Sequence, residues 1–243
     1  MFTALTLAAF ATSILSAIVG MAGGITLLAF MLLFYEPLVA IPLHGVVQLV
    51  SNSSRAVIQR AHLRWDLIWR QSLLLIPMGF VGIEISQALA PPITRALIGA
   101  FVLLATWAPG ALLLGSHPEE IDPNRRFILL GGTVGLLNTT IGATGPLIAP
   151  FFLNLGLTRF ALIGTKAACQ AFAHIAKIIV FGVVGFAFSE YLTLLIALSA
   201  SVVLGTMVGS RILNHVNELW FVRLYKGVLT LVALHLVVGE ILG

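Results

Sequence analysis

Two apolar stretches of the sequence each carry a row of polar side chains at helical spacing. The first, residues 41–55, contains His44, Gln48, Asn52 and Arg55, and the second, residues 163–177, contains Lys166, Gln170, His174 and Lys177. With about 100° of rotation per residue in an α-helix, the four polar side chains of each stretch fall within about 80° of one another. Cations, amides and imidazoles along one side of an apolar helix could bind and orient an anion.

The three cations Arg55, Lys166 and Lys177 lie in segments apolar enough to enter a bilayer. A charged side chain there costs about 2.5 to 3.5 kcal/mol on insertion scales, so it usually lines a cavity or meets a partner. Glu84 is the one carboxylate well inside a hydrophobic segment. We therefore expect a ligand to supply the missing negative charge. The alternatives are that Arg55 and Lys166 extend to the membrane interface, or that Lys177 pairs with Glu84.

Glycine-rich breaks at residues 20–24 and 141–146 indicate the same kind of site. Half-helices beginning near Gly23, Gly24 and Gly145 would direct free N–H groups and a positive dipole end toward an oxyanion at the midplane. Close helix packing is the alternative role for such glycines. Two broken segments in corresponding positions favour the binding site.

The remaining polar residues suggest hydrogen bonding and proton movement. We expect Gln48 and Gln170 to donate hydrogen bonds to the ligand, and the further candidates are Asn52, Ser51, Thr140 and Thr144. His44 and His174 are of a type that titrates near neutral pH, although a structural role is the alternative for each. His174 and Glu84 are the candidates for proton coupling.

The two polar rows belong to an internal repeat. An offset of 122 residues places Gln48 on Gln170, Arg55 on Lys177 and Gly23 on Gly145. Matching polar and glycine positions in one register indicates a duplication, with chance similarity of two apolar segments as the alternative.

Composition places these elements in a membrane. Of the 243 residues 59% are hydrophobic and 9% charged, and the mean hydropathy is +1.08, whereas a soluble domain has about 25% charged residues. The sequence predicts an all-α polytopic membrane protein. The net charge of +4 resides in short loops and at helix ends, which indicates topology signals, and we expect no nucleic-acid partner.

Several classes of function are excluded by missing motifs. Cys169 is the only cysteine, so internal disulfides, CxxC redox centres and thiolate metal clusters are excluded. The sequence has no HExxH, no GxSxG and no paired intramembrane aspartates, so we expect neither an enzyme nor a metal or cofactor site. The first 20 residues lack a basic region and a clear cleavage site, which predicts a first membrane segment.

The repeat divides the chain into two halves of four hydrophobic segments each. Residues 1–115 form the first half, 116–126 a polar linker and 127–243 the second half. The segments are 3–35 with its glycine break, 41–59, 66–89 and 93–115, then the broken run from 127, 162–187, 190–212 and 218–241.

The distribution of basic residues predicts how the halves are oriented. Arg60, Arg64 and Arg70 follow the first polar helix, whereas in the second half Arg211, Arg223 and Lys226 flank the last connector. By the positive-inside rule, equivalent loops then face opposite sides. We therefore expect inverted repeats, in which each half crosses the membrane three times and its glycine-broken segment is re-entrant or otherwise does not cross. Both termini would then lie outside, and the linker would be cytoplasmic. The alternative has four crossings per half and parallel repeats.

Three motifs resemble a known family. The breaks VGMAGGI and IGATGPLI and the stretch IGTKAACQ at residues 163–170 resemble the sulfite exporter TauE/SafE family, also called sulfonate uptake permeases, over essentially the whole chain. IGTKAACQ is the most specific of the three. The first half has Pro-Leu-His-Gly at residues 42–45 where the second has Gly-Thr-Lys, so we expect the halves to contribute unequally to binding.

The resemblance implies secondary transport of small sulfur-containing anions, such as sulfite, sulfonates or sulfoacetate, across a bacterial inner membrane. The residues and the composition predict an anionic substrate and the lipid bilayer as partners, with protons as the candidate coupling ion. The oligomeric state stays open, a homo-oligomer included. The alternative function is a non-transporting scaffold or subunit that binds another membrane protein through the polar rows.

Overall fold

The computed structural model describes residues 1–19, 23–212 and 218–238. Within these ranges it contains eleven α-helices and no strand, which confirms the prediction of an all-α chain. The helices are α1 (Phe2–Val19), α2 (Gly23–Met31), α3 (Pro37–Ile58), α4 (Trp65–Ser72), α5 (Leu75–Ala88), α6 (Pro91–Trp107), α7 (Pro123–Thr140), α8 (Gly145–Ile148), α9 (Arg159–Val183), α10 (Leu192–Ile212) and α11 (Glu218–Val238).

Local sequence signals define where several helices begin. Pro37, Pro91 and Pro123 stand at the starts of α3, α6 and α7, where proline has the required φ and its missing N–H is not needed. Asp122 caps α7 by accepting hydrogen bonds from the next helical N–H groups, and Thr158 caps α9 in the same way. Side-chain capping of these donors favours helix initiation at those residues.

Two helical segments are each long and apolar enough to cross a membrane, Arg159–Val183 and Phe188–Gly209. The helices α4 and α5 together pass the same test as a third span, bent by 41°. Shorter apolar helices cover Phe2–Ala17, Pro91–Trp107 and Lys226–Val238. The three crossings per half expected from the sequence therefore remain a prediction.

The first helix of each half packs against a helix of the other half. Gly205 packs on Phe10, and Gly209 packs on Ile14. Because residue numbers rise together along the two helices, α1 and α10 run in the same direction. In the other pair, Gly131 packs on Gln71 and Gly135 on Leu75, so α7 runs in the same direction as α4 and α5. The two halves are thus interleaved.

The helices that carry the polar rows, α3 and α9, pack against each other in opposite directions. Gly45, near the start of α3, contacts the Lys177 side chain, and Gln59, just after α3, contacts Gly164 near the start of α9. The Arg64 N–H donates a hydrogen bond of 3.0 Å to the Thr165 hydroxyl at the same end. The two polar rows therefore lie on helices that are packed together.

The helix boundaries follow the sequence repeat. The helices α1, α2 and α3 begin 121 or 122 residues before α7, α8 and α9. One expectation is corrected: the half-helix predicted to begin at Gly145 is only the four-residue α8, followed by a 3-10 segment at Ala149–Phe152. Pro146 and Pro150 limit the backbone N–H donors available to a longer helix. Residues 20–22 of the first break lie outside the described residues.

Candidate functional site

A cavity of about 430 Å³, its open mouth included, lies between α3 and α9 beside the starts of α2 and α8. Its lining residues are Ser16, Gly24, Ile25, His44, Gln48, Asn52, Arg55, Ala143, Thr144, Gly145, Pro146, Gln170 and His174. Both polar rows therefore contribute to one cavity, which we call the inner cavity.

His44 connects α3 to the start of α2. Its Nε2–H donates a hydrogen bond of 2.8 Å to the Gly24 carbonyl. The imidazole is 1% exposed, and its Nδ1 has no hydrogen-bond partner among the described residues. The His174 ring on α9 lies edge-on to it at 6.0 Å between centroids. The two imidazoles thus contact each other across the antiparallel helices at the wall of the cavity.

Gln48 and Gln170 line the inner cavity from opposite helices, as the repeat predicts. A Cβ atom on Gly24 would come within 3.1 Å of the Gln48 Oε1. Glycine at this position therefore gives the Gln48 amide room at the cavity wall. Each amide offers two N–H donors and one acceptor, which suits a ligand with several oxygens.

Arg55 is held by its own helix. Its Nη2 donates to the Asn52 Oδ1 at 3.0 Å and to the Ser51 hydroxyl at 3.3 Å, and Asn52 in turn donates to the Gln48 carbonyl at 2.9 Å. Nη1 has no acceptor among the described residues. A guanidinium fixed on one side and free on the other is suited to bind an oxyanion.

The charge of the cavity has one sign. Among the described residues that line it, Arg55 is the charged side chain and none is an aspartate or a glutamate. Amides, hydroxyls and imidazoles supply the other polar groups. An anion would therefore meet hydrogen-bond donors and a cation, without repulsion from a lining carboxylate.

Comparison with known proteins assigns the chain to a family. The family model described as sulfite exporter TauE/SafE matches residues 5–236. The chain belongs to the TauE/SafE family. No curated protein and no solved structure matches it. Family membership, together with the apolar helices, makes it a membrane transport protein of the sulfite exporter type.

Eight of the site residues predicted from this TauE/SafE sequence line the inner cavity. They are Gly24, His44, Gln48, Asn52, Arg55, Gly145, Gln170 and His174. Thr144, a further candidate, lines it as well. The other predicted residues, Gly23, Thr140, Lys166, Lys177 and Glu84, lie elsewhere.

Lys177 and Glu84 do not meet. The Lys177 side chain is 1% exposed and its Nζ donates a hydrogen bond of 2.7 Å to the Gly142 carbonyl. Glu84 is exposed on α5, away from the residues that line the inner cavity. The ion pair considered from the sequence is absent from the described part of the chain.

Gly23 and Thr140 serve helix packing in the TauE/SafE fold. A Cβ atom on Gly23 would overlap the Thr12 carbonyl oxygen, so glycine allows α2 to lie directly on α1. The Thr140 hydroxyl donates to the Gly82 carbonyl at 3.0 Å, which joins α7 to α5. At Gly23 the packing alternative is the one that the contacts favour.

Lys166 lies in a second cavity of about 710 Å³, its open mouth included. This outer cavity shares Ser16, Arg55 and Gln170 with the inner one. The two cavities are therefore neighbours along α9, with Arg55 at the wall between them.

Four lining residues were not predicted from the sequence, namely Ser16, Ile25, Ala143 and Pro146. The sequence repeat could have identified Ser16, because this residue stands 122 residues before Asn138, another polar residue in an apolar helix. Ile25 and Ala143 are apolar residues in apolar segments, and composition offers no way to distinguish them from packing residues.

Proposed function

We propose that the protein is a secondary transporter of small sulfur-containing anions, of the sulfite, sulfonate or sulfoacetate type, working by alternating access in a bacterial inner membrane. The observation that carries the proposal is the inner cavity, where Arg55, two glutamines and two histidines converge without a carboxylate among the described lining residues. Family membership supports sulfur oxyanions as the cargo.

The chemistry of the cargo fits the groups that line the cavity. A sulfur oxyanion presents several strong acceptors around a compact negative charge. The Arg55 guanidinium would supply charge-assisted hydrogen bonds, and the Gln48 and Gln170 amides would fix the orientation of the anion. Removal of one charged donor should weaken binding by about 1.5 to 3 kcal/mol.

We further propose that residues 1–115 and 127–243 are inverted repeats joined by the linker 116–126. Equivalent helices of parallel repeats would point the same way, whereas α3 and α9 are antiparallel. In inverted repeats a two-fold axis in the membrane plane relates such a pair, and the antiparallel packing of α3 and α9 supports this arrangement. During transport the two repeats would exchange their conformations, and this exchange would open the site first to one side of the membrane and then to the other.

The position of the polar rows supports transport over the scaffold function. A scaffold that binds a partner through these rows needs them on its outer surface. Gln48 and Asn52 are instead 8% and 1% exposed, and both rows contribute to an internal cavity. If protons are the coupling ion, His174 is the better-placed candidate, because it lines the cavity while Glu84 lies on the exposed side of α5.

The test is thermal stabilisation of the purified protein by an anion panel. The panel comprises sulfite, sulfate, thiosulfate, sulfoacetate, isethionate, taurine and phosphate, with a neutral control. We expect stabilisation by one or a few sulfur oxyanions and loss of that effect in Gln48→Ala and Gln170→Ala. Uptake of the same anion into proteoliposomes then demonstrates transport. Folded protein that responds to no anion would contradict the proposal and favour the scaffold.

A further inference from the structure

We propose that the outer cavity is a second anion subsite, which takes an organic anion with an apolar tail. This inference rests on the proposed function, because it adds a subsite beside the inner cavity. Lys166 and Arg55 would bind the anionic head in the outer cavity.

The linings of the two cavities differ in chemistry. In the outer cavity, Ala17, Leu162, Ile163 and Ala167 form an apolar half of the wall, and Ser16, Arg55, Lys166 and Gln170 form a polar half. The inner cavity is lined mainly by polar side chains and small residues. A tail of several carbons would find the larger apolar wall in the outer cavity.

The positions along α9 explain how head and tail would be separated. Lys166 lies one helical turn before Gln170 and one turn after Leu162, so the three side chains share a face of the helix. Leu162 is 36% and Ile163 39% exposed. The apolar half therefore lies toward the outside, and the cationic half lies toward the inner cavity.

Two cations face this cavity, and no acidic residue is among its described lining residues. Two like charges side by side repel each other, and an anion bound between them offsets this repulsion by attracting both. Arg55 belongs to both cavities and Lys166 to the outer one. A compact inorganic anion can move past Arg55 to the inner cavity, whereas a tailed anion is retained by its apolar contacts.

The test measures binding of two probes, thiosulfate and butanesulfonate, by calorimetry on the full chain in nanodiscs. Lys166→Gln should weaken butanesulfonate binding by at least about tenfold, the effect of losing a bond to a charged group. It should change thiosulfate binding by less than about threefold. Gln48→Ala, which alters only the inner cavity, should show the opposite pattern. Lys226→Gln is the matched control, because Lys226 lies over the Trp107 ring instead.

A second measurement covers the apolar half of the subsite. Across methane-, propane- and butanesulfonate, affinity should rise by up to about fourfold for each buried methylene group. Leu162→Asn should flatten this rise and leave thiosulfate unchanged. Because Leu162 is partly exposed, this variant tests the subsite even if Lys166→Gln does not fold. Lys166→Arg should retain butanesulfonate binding.

The outcomes separate the two proposals. If wild-type protein binds thiosulfate but not butanesulfonate, or if Lys166→Gln weakens both probes equally, the second subsite is overturned and the proposed function is unaffected. If folded wild-type protein binds no member of the anion panel, the proposed function fails and the subsite fails with it.

Discussion

Lys177 donates a hydrogen bond of 2.7 Å from its Nζ to the Gly142 carbonyl, just beyond the end of α7. Gly142 has a φ of +89°, and its N–H returns to the Leu137 carbonyl at 3.1 Å to close the helix. A cation at this point complements the negative end of the α7 dipole. Its repeat counterpart, Arg55, instead lies at the wall of both cavities. The two equivalent cations therefore have different environments.

Lys177→Ala should destabilise the protein more than it weakens anion binding. The change leaves the Gly142 carbonyl without its charged donor and empties the space beside Gly45. We expect a loss of about 1.5 to 3 kcal/mol in unfolding free energy, visible as a lower melting temperature. Unchanged stability combined with lost binding of the stabilising anion would place Lys177 in the site instead.

Gln48→Glu should weaken anion binding at least about tenfold, because it introduces a negative charge beside the ligand without changing side-chain volume. Calorimetry with the anion identified by thermal stabilisation measures the effect. Gln87→Glu is the control, since Gln87 is exposed on α5. Equal affinities in the two variants would show that the anion binds away from Gln48.

Two adjacent glycines should respond differently to alanine. Gly23→Ala would force a Cβ atom into the Thr12 carbonyl oxygen and within 2.6 Å of the Ser16 Cβ, so we expect a loss of about 1 to 3 kcal/mol in stability. Gly24→Ala meets only the end of the Gln48 side chain, at 3.1 Å. That variant should fold with little loss and bind the anion several-fold more weakly, since the amide must shift.

Melting curves and anion titrations on both glycine variants measure these effects. A destabilised Gly24→Ala protein alongside a stable Gly23→Ala protein would reverse the roles assigned to the two positions.

The inverted arrangement predicts opposite accessibility for repeat-related positions. His62 follows α3, and Val184 stands 122 residues later, just after α9. Since α3 and α9 are antiparallel, His62→Cys and Val184→Cys should react with a membrane-impermeant thiol reagent from opposite sides. A Cys169→Ser background removes the native thiol, which is buried. Labelling of both positions from the same side would contradict inverted repeats.

Much of the helical framework follows from sequence alone. Apolar composition, helical spacing and the 122-residue offset predicted an all-α chain whose polar helices correspond to α3 and α9. Helical periodicity also placed Gln48 and Gln170 on the faces that line the inner cavity. These features are local, because they depend on residues a few positions apart.

Tertiary structure decided which polar residues share a site. Periodicity defines a face of a helix, but the neighbour and depth of each residue depend on how the helices cross. The antiparallel packing of α3 and α9 brings His44 to His174, whereas the end of α7 takes Lys177. Lys166 consequently faces a different cavity from His174, although both belong to one polar row.

The two adjacent glycines of α2 also show that the sequence alone does not distinguish a packing residue from a cavity-lining one. In sequence Gly23 and Gly24 are equivalent members of one motif. In the fold, one lies against the α1 backbone and the other against the Gln48 amide, because successive helix positions point about 100° apart. The sequence thus determined the helices and their polar faces, and only the contacts between helices decided which residue packs and which lines the cavity.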